Sequence, residues 1–136
     1  MPKLFWQGGD DKFRDPMSRA MTGESNMEIE KLEGVTVIST DERLDAMIAP
    51  KLKQMVKKMS EEASTKLVID LGKTKFIDSS GCGALVAALR TLLKNHGDLK
   101  IARPSPQAKT LFQLTRLHRV FEIHDNLDDA IKSFDK

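Results

Sequence analysis

Residues 67–83 read LVIDLGKTKFIDSSGCG, and this stretch decides the fold. It opens with an unbroken apolar run, residues 67–69, which is typical of a strand buried on both faces in a parallel sheet covered by helices. After a polar turn, Phe76-Ile77 leads into Asp78, where the small and polar residues predict the start of a helix. A buried strand followed at once by a helix is the repeating unit of an α/β fold.

The alternation of strands and helices extends on both sides of this stretch. Residues 27–32 and 35–39 predict two strands joined by a tight turn at Glu33-Gly34, and residues 99–102 and 120–123 predict two more. Apolar residues at helical spacing mark four helices. These residues are Ile48, Leu52, Met55, Val56 and Met59; Leu85, Ala88, Leu89, Leu92 and Leu93; Ala108, Leu111 and Phe112; and Leu127, Ala130, Ile131 and Phe134. The order β-β-α-β-α-β-α-β-α predicts an α/β fold with a mostly parallel sheet of four to five strands.

Several residues predict where the helices begin and end. Pro50 falls near the start of the first helix, where a missing N–H costs least. Ser105-Pro106 combines a capping hydroxyl with proline at the first helical position. Asp125 or Asn126 is expected to cap the last helix, and Gly97 is expected to be the left-handed residue that ends the second.

Composition narrows the class of protein. The chain has 136 residues, the size of one domain, and a net charge of +2 from 22 basic and 20 acidic residues. This balance gives no electrostatic reason to expect nucleic acid as a partner. No apolar run approaches the roughly 20 residues of a membrane helix, and Met1–Gln7 lacks the apolar core of a secretion signal. We therefore expect a cytoplasmic protein, and the single cysteine, Cys82, fits a reducing compartment.

Residues 1–26 differ from the rest of the chain. They contain three glycines and two prolines without a sustained hydrophobic period. One interpretation is a flexible N-terminal extension, and the other is a short docking segment around Phe5 and Trp6. The extension is the preferred interpretation, so the domain is predicted to cover residues 27–136.

The chemistry is predicted to lie in residues 78–83, the turn between a strand and a helix. Ligands and partners of open α/β sheets gather at the carboxyl ends of the strands. Two hydroxyls and two glycines leave the backbone approachable here, and the free N–H groups of a helix start favour an anion. The alternative is an ordinary helix cap with glycines for close packing, although capping explains only one of these side chains.

These residues also resemble a known family. Asp78-Ser79-Ser80-Gly81-x-Gly83 resembles the signature of STAS domains, which are named for sulfate transporters and anti-sigma factor antagonists. The resemblance continues in Leu44-Asp45 before the first helix and in the central strand, residues 67–71. It includes residues 105–108 and 114–117 around the third helix, in the order that the family has.

The resemblance implies a STAS fold and a regulatory role without catalysis or cofactor. Ser79 matches the family's phosphate acceptor. The stand-alone members bind an anti-sigma factor that is also a serine kinase, phosphorylation blocks that binding, and a serine phosphatase resets it. The residues that match the partner-binding surface are Asp45, Asp78, Ser80, Gly81 and Gly83. In this chain Cys82 replaces the usual leucine, and we expect it to be a small buried residue and not a redox thiol.

Other functions remain open at this point. A STAS domain could also act as a partner switch or scaffold in a signalling complex that does not involve a sigma factor. A small hydrolase is less favoured, because the chain lacks Gly-x-Ser-x-Gly and nothing places His96, His118 or His124 beside Ser79. Gly72-Lys73-Thr74 ends like a phosphate-binding loop, but no glycine stands five places earlier. No cysteine–histidine spacing indicates a metal site, and the oligomeric state is not encoded.

Overall fold

The computed structural model describes residues 27–135. Both interpretations of residues 1–26, the flexible extension and the docking segment around Phe5 and Trp6, fall outside this range. The structure contains seven strands, four α-helices and two short 3-10 turns within the described residues. The strands are β1 (Glu28–Leu32), β2 (Val35–Ser39), β3 (Arg43–Leu44), β4 (Lys66–Asp70), β5 (Phe76–Ile77), β6 (Asp98–Ala102) and β7 (Glu122–His124). The helices are α1 (Ala49–Glu61), α2 (Ser79–Lys94), α3 (Pro106–Leu114) and α4 (Leu127–Lys132), and the 3-10 turns are Leu117–Arg119 and Ser133–Asp135.

Five strands form the main sheet in the order β1-β2-β4-β6-β7. All neighbours in it are parallel except β1 and β2, which form an antiparallel hairpin. Glu33 and Gly34 join the hairpin and both have positive φ, as a tight two-residue turn of this kind requires. The predicted α/β class and mostly parallel sheet are confirmed.

Helices cover both faces of the sheet, which explains why the central strands are apolar without alternation. On one face, β4 packs Leu67 and Ile69 in the core that holds α1, α2 and α3. On the other face, Val68 packs with Ala130 and Ile131 of α4. Because neither face of β4 meets water from Leu67 to Ile69, these three positions are all apolar, between the exposed Lys66 and the buried Asp70.

A second ladder of two strands lies beside the main sheet. Phe76-Ile77 follows the predicted polar turn at Gly72 and forms a separate strand, β5, which the predicted order of elements did not include. β5 pairs in parallel with β3, Arg43 opposite Phe76 and Leu44 opposite Ile77. Thr74 fixes the turn, since its buried hydroxyl bonds the Thr40 hydroxyl and the Asp41 carbonyl. This ladder brings the start of α1 to the start of α2.

Two predictions about boundaries are wrong. The left-handed residue after α2 is His96, with φ 64°, and not Gly97. The amides of His96 and Gly97 bond the carbonyls of Leu93 and Leu92, which is a Schellman ending. Gly97 is needed for a different reason: a Cβ there would overlap the carbonyl oxygen of Thr65. The last strand begins at Glu122, because Val120 belongs to the turn that follows α3 and is exposed.

Candidate functional site

In the β5–α2 turn, residues 78–83, one side chain caps the helix and the two serines take no part in capping. Asp78 is the N-cap, and its Oδ1 accepts a hydrogen bond of 2.9 Å from the amide of Gly81. Ser79 and Ser80 are the first two residues of α2, and both are exposed. Neither hydroxyl bonds another residue within the described range 27–135. The turn therefore presents two uncommitted hydroxyls beside the first amides of a helix, which have no partner within the helix.

The two glycines of the turn have different surroundings. A Cβ on Gly81 would overlap the carbonyl oxygen of Leu44, so only glycine lets α2 approach β3 this closely. A Cβ on Gly83 would have no heavy atom within 4 Å. The fold thus explains Gly81 but not Gly83, which leaves a gap on the exposed surface of α2 one turn from Ser79 and Ser80.

Asp45 lies next to this turn because of the β3–β5 ladder. The ladder pairs Leu44 with Ile77, and the amide of Asp78 bonds the carbonyl of Leu44 at 3.4 Å, so Asp45 directly follows the residue that contacts Asp78. Arg43 holds the Asp45 carboxylate with a hydrogen bond of 3.1 Å, and its guanidinium lies 4.5 Å from the centre of the Phe76 ring. The hydrogen bond from Arg43 is the main reason why the pKa of Asp45 lies below its usual range, with further lowering by the Met47 and Ile48 amides. Asp45 is therefore a fixed negative charge at neutral pH.

Gln107 connects α3 to the same turn, and sequence reasoning gave it no role beyond the family resemblance. Its side-chain amide donates to the carbonyl of Ile77 at 3.0 Å and accepts from the amide of Ile77 at 3.0 Å. Ile77 is the last residue of β5, directly before Asp78. No sequence pattern identifies this contact, since Gln107 and Ile77 are 30 residues apart.

Met47 was also missed. It lies between Asp45 and α1, is 77% exposed, and lines a surface groove with Asp45 and Arg43. The Asp45 carboxylate accepts a hydrogen bond from its amide at 3.1 Å, which fixes the backbone there. A large apolar side chain held on the surface beside a fixed charge is the kind of feature that protein interfaces use. The turn reads Asp45-Ala46-Met47-Ile48, and nothing in this sequence singles out Met47.

Cys82 is buried, as predicted, and lies on the face of α2 that packs in the hydrophobic core. Burial raises the pKa of its thiol above the usual range, and the negative charge of Asp78 raises it further. The thiol is therefore a poor nucleophile at neutral pH.

The histidines do not form a catalytic arrangement with Ser79 in the part of the chain that the structure describes. His118 contacts the carbonyl of Phe112, and His124 bonds Glu122 in its own strand. Gly72 and Lys73 form the predicted polar turn after β4. Across residues 27–135 there is no cluster of three or more histidine, cysteine or acidic residues that could hold a metal ion. Within the same range, no helix combines the length and apolar character that a membrane crossing requires.

Comparison with known proteins agrees with the fold. The family model of the STAS domain matches residues 26–130. The chain belongs to the STAS domain family. This match includes the β5–α2 turn and the whole sheet.

Relatives of this STAS domain are antagonists of anti-sigma factors. The anti-sigma-B factor antagonist of Listeria monocytogenes is 31% identical over 80 residues, which are 59% of this chain and 70% of that protein. The crystal structure of an anti-sigma factor antagonist from Mycobacterium paratuberculosis superposes with a TM-score of 0.73 and 29% identity, covering 81% of this chain and 93% of that one.

The Bacillus anti-sigma factor antagonist SpoIIAA shares the fold in both of its forms. Its unphosphorylated form matches with a TM-score of 0.63 at 19% identity, over 79% of this chain and 94% of that one. Its phosphorylated form matches with a TM-score of 0.65 at 21% identity, over 79% of this chain and 98% of that one. The two scores are nearly equal.

Proposed function

We propose that this STAS domain is an anti-sigma factor antagonist, a regulatory module without catalysis of its own that is switched by phosphorylation of Ser79. The observation that carries the proposal is that Asp78, and not Ser79, caps α2 in the β5–α2 turn. Asp78 satisfies the Gly81 amide, and the Ser79 hydroxyl stays exposed and unbonded among the described residues. A kinase can therefore reach that hydroxyl without breaking a contact that holds the fold.

Phosphorylation of Ser79 would leave the domain folded. The phosphate would carry about −1.5 to −2 charges and lie beside the unpaired first amides of α2, which favour an anion. Asp78 would oppose it by repulsion, so the net effect on the fold is small. The equal likeness of this chain to the two forms of SpoIIAA supports a switch that keeps the fold.

The same phosphate would prevent a partner from binding. A partner that packs against the uncharged Ser79 side chain would have to bury a dianion without a counter-charge, which costs several kcal/mol and weakens binding by about a thousandfold or more. The partner that fits is an anti-sigma factor, as the names of the relatives indicate. The family resemblance implies that this anti-sigma factor is also a serine kinase. A serine phosphatase would restore binding, and the cytoplasm, where ATP is available, is the expected location.

The docking surface would consist of the β5–α2 turn and Asp45. Ser80 and the open surface at Gly83 let the partner backbone approach α2 closely, and Gly81 holds the turn against β3. Asp78 and Asp45 give this side of the surface its negative charge, so we expect a basic side chain of the kinase opposite Asp45. Met47 adds an exposed apolar contact beside it.

The test uses the full chain and the candidate anti-sigma serine kinases of the source organism. Each kinase is incubated with the chain and ATP, the phosphate is located by mass spectrometry, and affinity is measured by calorimetry. We expect the phosphate on Ser79 and a large loss of affinity after phosphorylation. Ser79→Ala should bind but accept no phosphate, and Ser79→Asp should bind at least about tenfold more weakly. Ser80→Ala is the matched control, because it removes the neighbouring exposed hydroxyl and should still be phosphorylated at Ser79.

Two results would count against this function. The first is a phosphate located on Ser80 or elsewhere while Ser79 stays unmodified. The second is Ser79→Asp binding the kinase as tightly as the wild-type chain does.

A further inference from the structure

The end of α3 carries an apolar and basic surface that the β5–α2 turn does not explain. Residues 114–120, which we call the α3 end, include Leu114, 77% exposed, and Val120, 52% exposed. They are two of the five large apolar residues that are exposed in the described part of the chain. Solvent exposure of one such residue is ordinary, but the α3 end has two within seven residues.

The α3 end is held in one conformation. The amide of Arg119 bonds the carbonyl of Arg116, and the amide of Val120 bonds the carbonyl of Leu117. The ring of His118 contacts the carbonyl of Phe112 at 3.3 Å, which ties the turn to the last turns of α3. The exposed side chains are therefore presented by an ordered backbone, so little conformational entropy is lost when a partner binds.

The charge of the α3 end is positive and not neutralised. No acidic residue occurs between Asp98 and Glu122 in the sequence. The other basic residues of that segment are paired: Lys100 with Glu122, Arg103 with Asp70 and Lys109 with Asp125. Arg116 and Arg119 make no ion pair with any residue in the range 27–135.

Arg116 also occupies a position that favours glycine. Its φ is 63°, in the left-handed region, where a side chain other than glycine costs about 1 kcal/mol or more. Glycine would form this turn with less strain, so the arginine is not required by the backbone. Its guanidinium is available for contacts outside the chain.

The α3 end is continuous with the docking surface proposed above. Gln107 contacts Ile77 beside the β5–α2 turn, and Leu111 and Leu114 follow at i+4 and i+7 on the same face of α3. The distance from Gln107 to Leu114 along the helix axis is about 10 Å. Specific protein interfaces involve roughly 20 to 30 residues a side, many more than the turn and Asp45 supply. A partner seated on the turn must extend over neighbouring surface, and this face leads to an exposed apolar and basic patch.

We propose that the α3 end is the second half of the docking surface and that it binds an acidic segment of the same kinase with an apolar side chain beside its carboxylates. The inference rests on the proposed function. The docking surface then has carboxylates at one end, Asp78 and the Arg43-paired Asp45, and the guanidinium groups of Arg116 and Arg119 at the other. Such a distribution fixes the orientation of the bound kinase and speeds its association.

The test measures the affinity of the full chain for the purified kinase that phosphorylates Ser79, at low and high salt. Arg116→Glu/Arg119→Glu should weaken binding at least about tenfold and reduce the salt dependence. Leu114→Gln should weaken it about fivefold. The matched control is Lys66→Glu/Lys94→Glu, two exposed residues at the start of β4 and at the end of α2, outside both halves of the proposed surface, which should stay within about twofold of the wild type. Because every substituted side chain is exposed, urea midpoints should show that all variants fold.

The outcomes separate this inference from the function on which it rests. If Ser79→Asp loses affinity for the kinase while both α3-end variants bind it like the wild type, the α3 end is not part of the docking surface. The proposed switch at Ser79 is then unaffected. If no candidate kinase binds the wild-type chain, both are wrong. If sedimentation shows a dimer that Leu114→Gln dissociates while kinase affinity is unchanged, the patch binds a second copy of this chain and the proposal is overturned.

Discussion

Single residues of the β5–α2 turn have separate tasks, and the glycines show this most clearly. Gly81 lies against the carbonyl of Leu44, where any side chain would push α2 away from β3. Gly83 lies in the interior of α2 with open space around it. The first glycine therefore serves the fold, whereas the second lowers helix stability without a benefit inside the described part of the chain.

Alanine at these two positions should have opposite effects on stability. Gly81→Ala should lower the free energy of unfolding by about 1 to 3 kcal/mol, because backbone must move to admit the methyl group. Gly83→Ala should raise it by about 1 kcal/mol, since alanine is the better helix former. Urea denaturation measures both. Equal effects of the two substitutions on stability would contradict this assignment. If Gly83→Ala bound the kinase with wild-type affinity, the open surface at Gly83 would have no role in docking.

The residues that sequence reasoning located are those whose signal is local. Asp78 and Ser79 follow from a short signature, and the Ser105 and Asn126 caps are confirmed because a capping residue acts within three positions of itself. His96 was missed because the left-handed position usually selects glycine, and a glycine stood one place later. Gln107 could not be found in this way, because its partner is distant in the chain.

At the scale of elements, two strands of two residues each position the whole candidate site. β3 and β5 are too short for a period-two pattern to identify, which is why β3 was not predicted. Nevertheless, their pairing places Leu44, the neighbour of Asp45, against the amide of Asp78, and Gln107 joins α3 to Ile77 of the same ladder. The buried strands and the amphipathic helices were predictable because their hydrophobic patterns extend over five residues or more.

Loss of the Gln107 contact should loosen the connection between β5 and α3. Gln107→Ala leaves the amide and carbonyl of Ile77 without that partner, and Ile77 is buried. We expect a loss of about 1 to 3 kcal/mol in the free energy of unfolding and faster hydrogen exchange at the Ile77 amide. Gln113→Ala is the control, since Gln113 is exposed on the same helix. Unchanged hydrogen exchange at the Ile77 amide would show that the Gln107 contact does not stabilise β5.

At the scale of the whole molecule, the sheet has one face covered by three helices and another covered by α4. The α4 face also contains the most buried lysine of the described sheet, Lys100, whose side chain is 9% exposed. Glu122 binds its Nζ at 3.0 Å, and the ring of Phe134 lies 4.7 Å from the same atom. A buried ammonium group needs such a partner, so this contact connects the edge strand β7 to the sheet.

The limits of the domain, residues 27–136, stay a prediction.

The contribution of Glu122 should depend on pH. Burial alone would raise the pKa of Glu122, but the hydrogen bonds from His124 and Lys100 outweigh it, so the pKa lies below its usual range. A depressed pKa in the folded state stabilises the fold above the unfolded value, about 4.3, and this contribution is lost as the pH falls through the folded value.

Glu122→Gln should therefore lower the free energy of unfolding by about 1 kcal/mol at pH 7, and the difference from the wild type should shrink below about pH 4. Urea titrations between pH 3 and 7 measure this, with Glu61→Gln, an exposed glutamate of α1, as the control. A difference that grows on acidification would have the wrong sign.

The placement of the helix cap on Asp78 has a consequence for genetics. Because Ser79 holds nothing together among the described residues, alleles that replace it by alanine or aspartate should produce as much folded protein as the wild-type gene does. Their phenotypes would then report signalling alone and not a change in dosage. An allele at Asp78 would mix the two effects, since it would also shorten the lifetime of the protein in the cell.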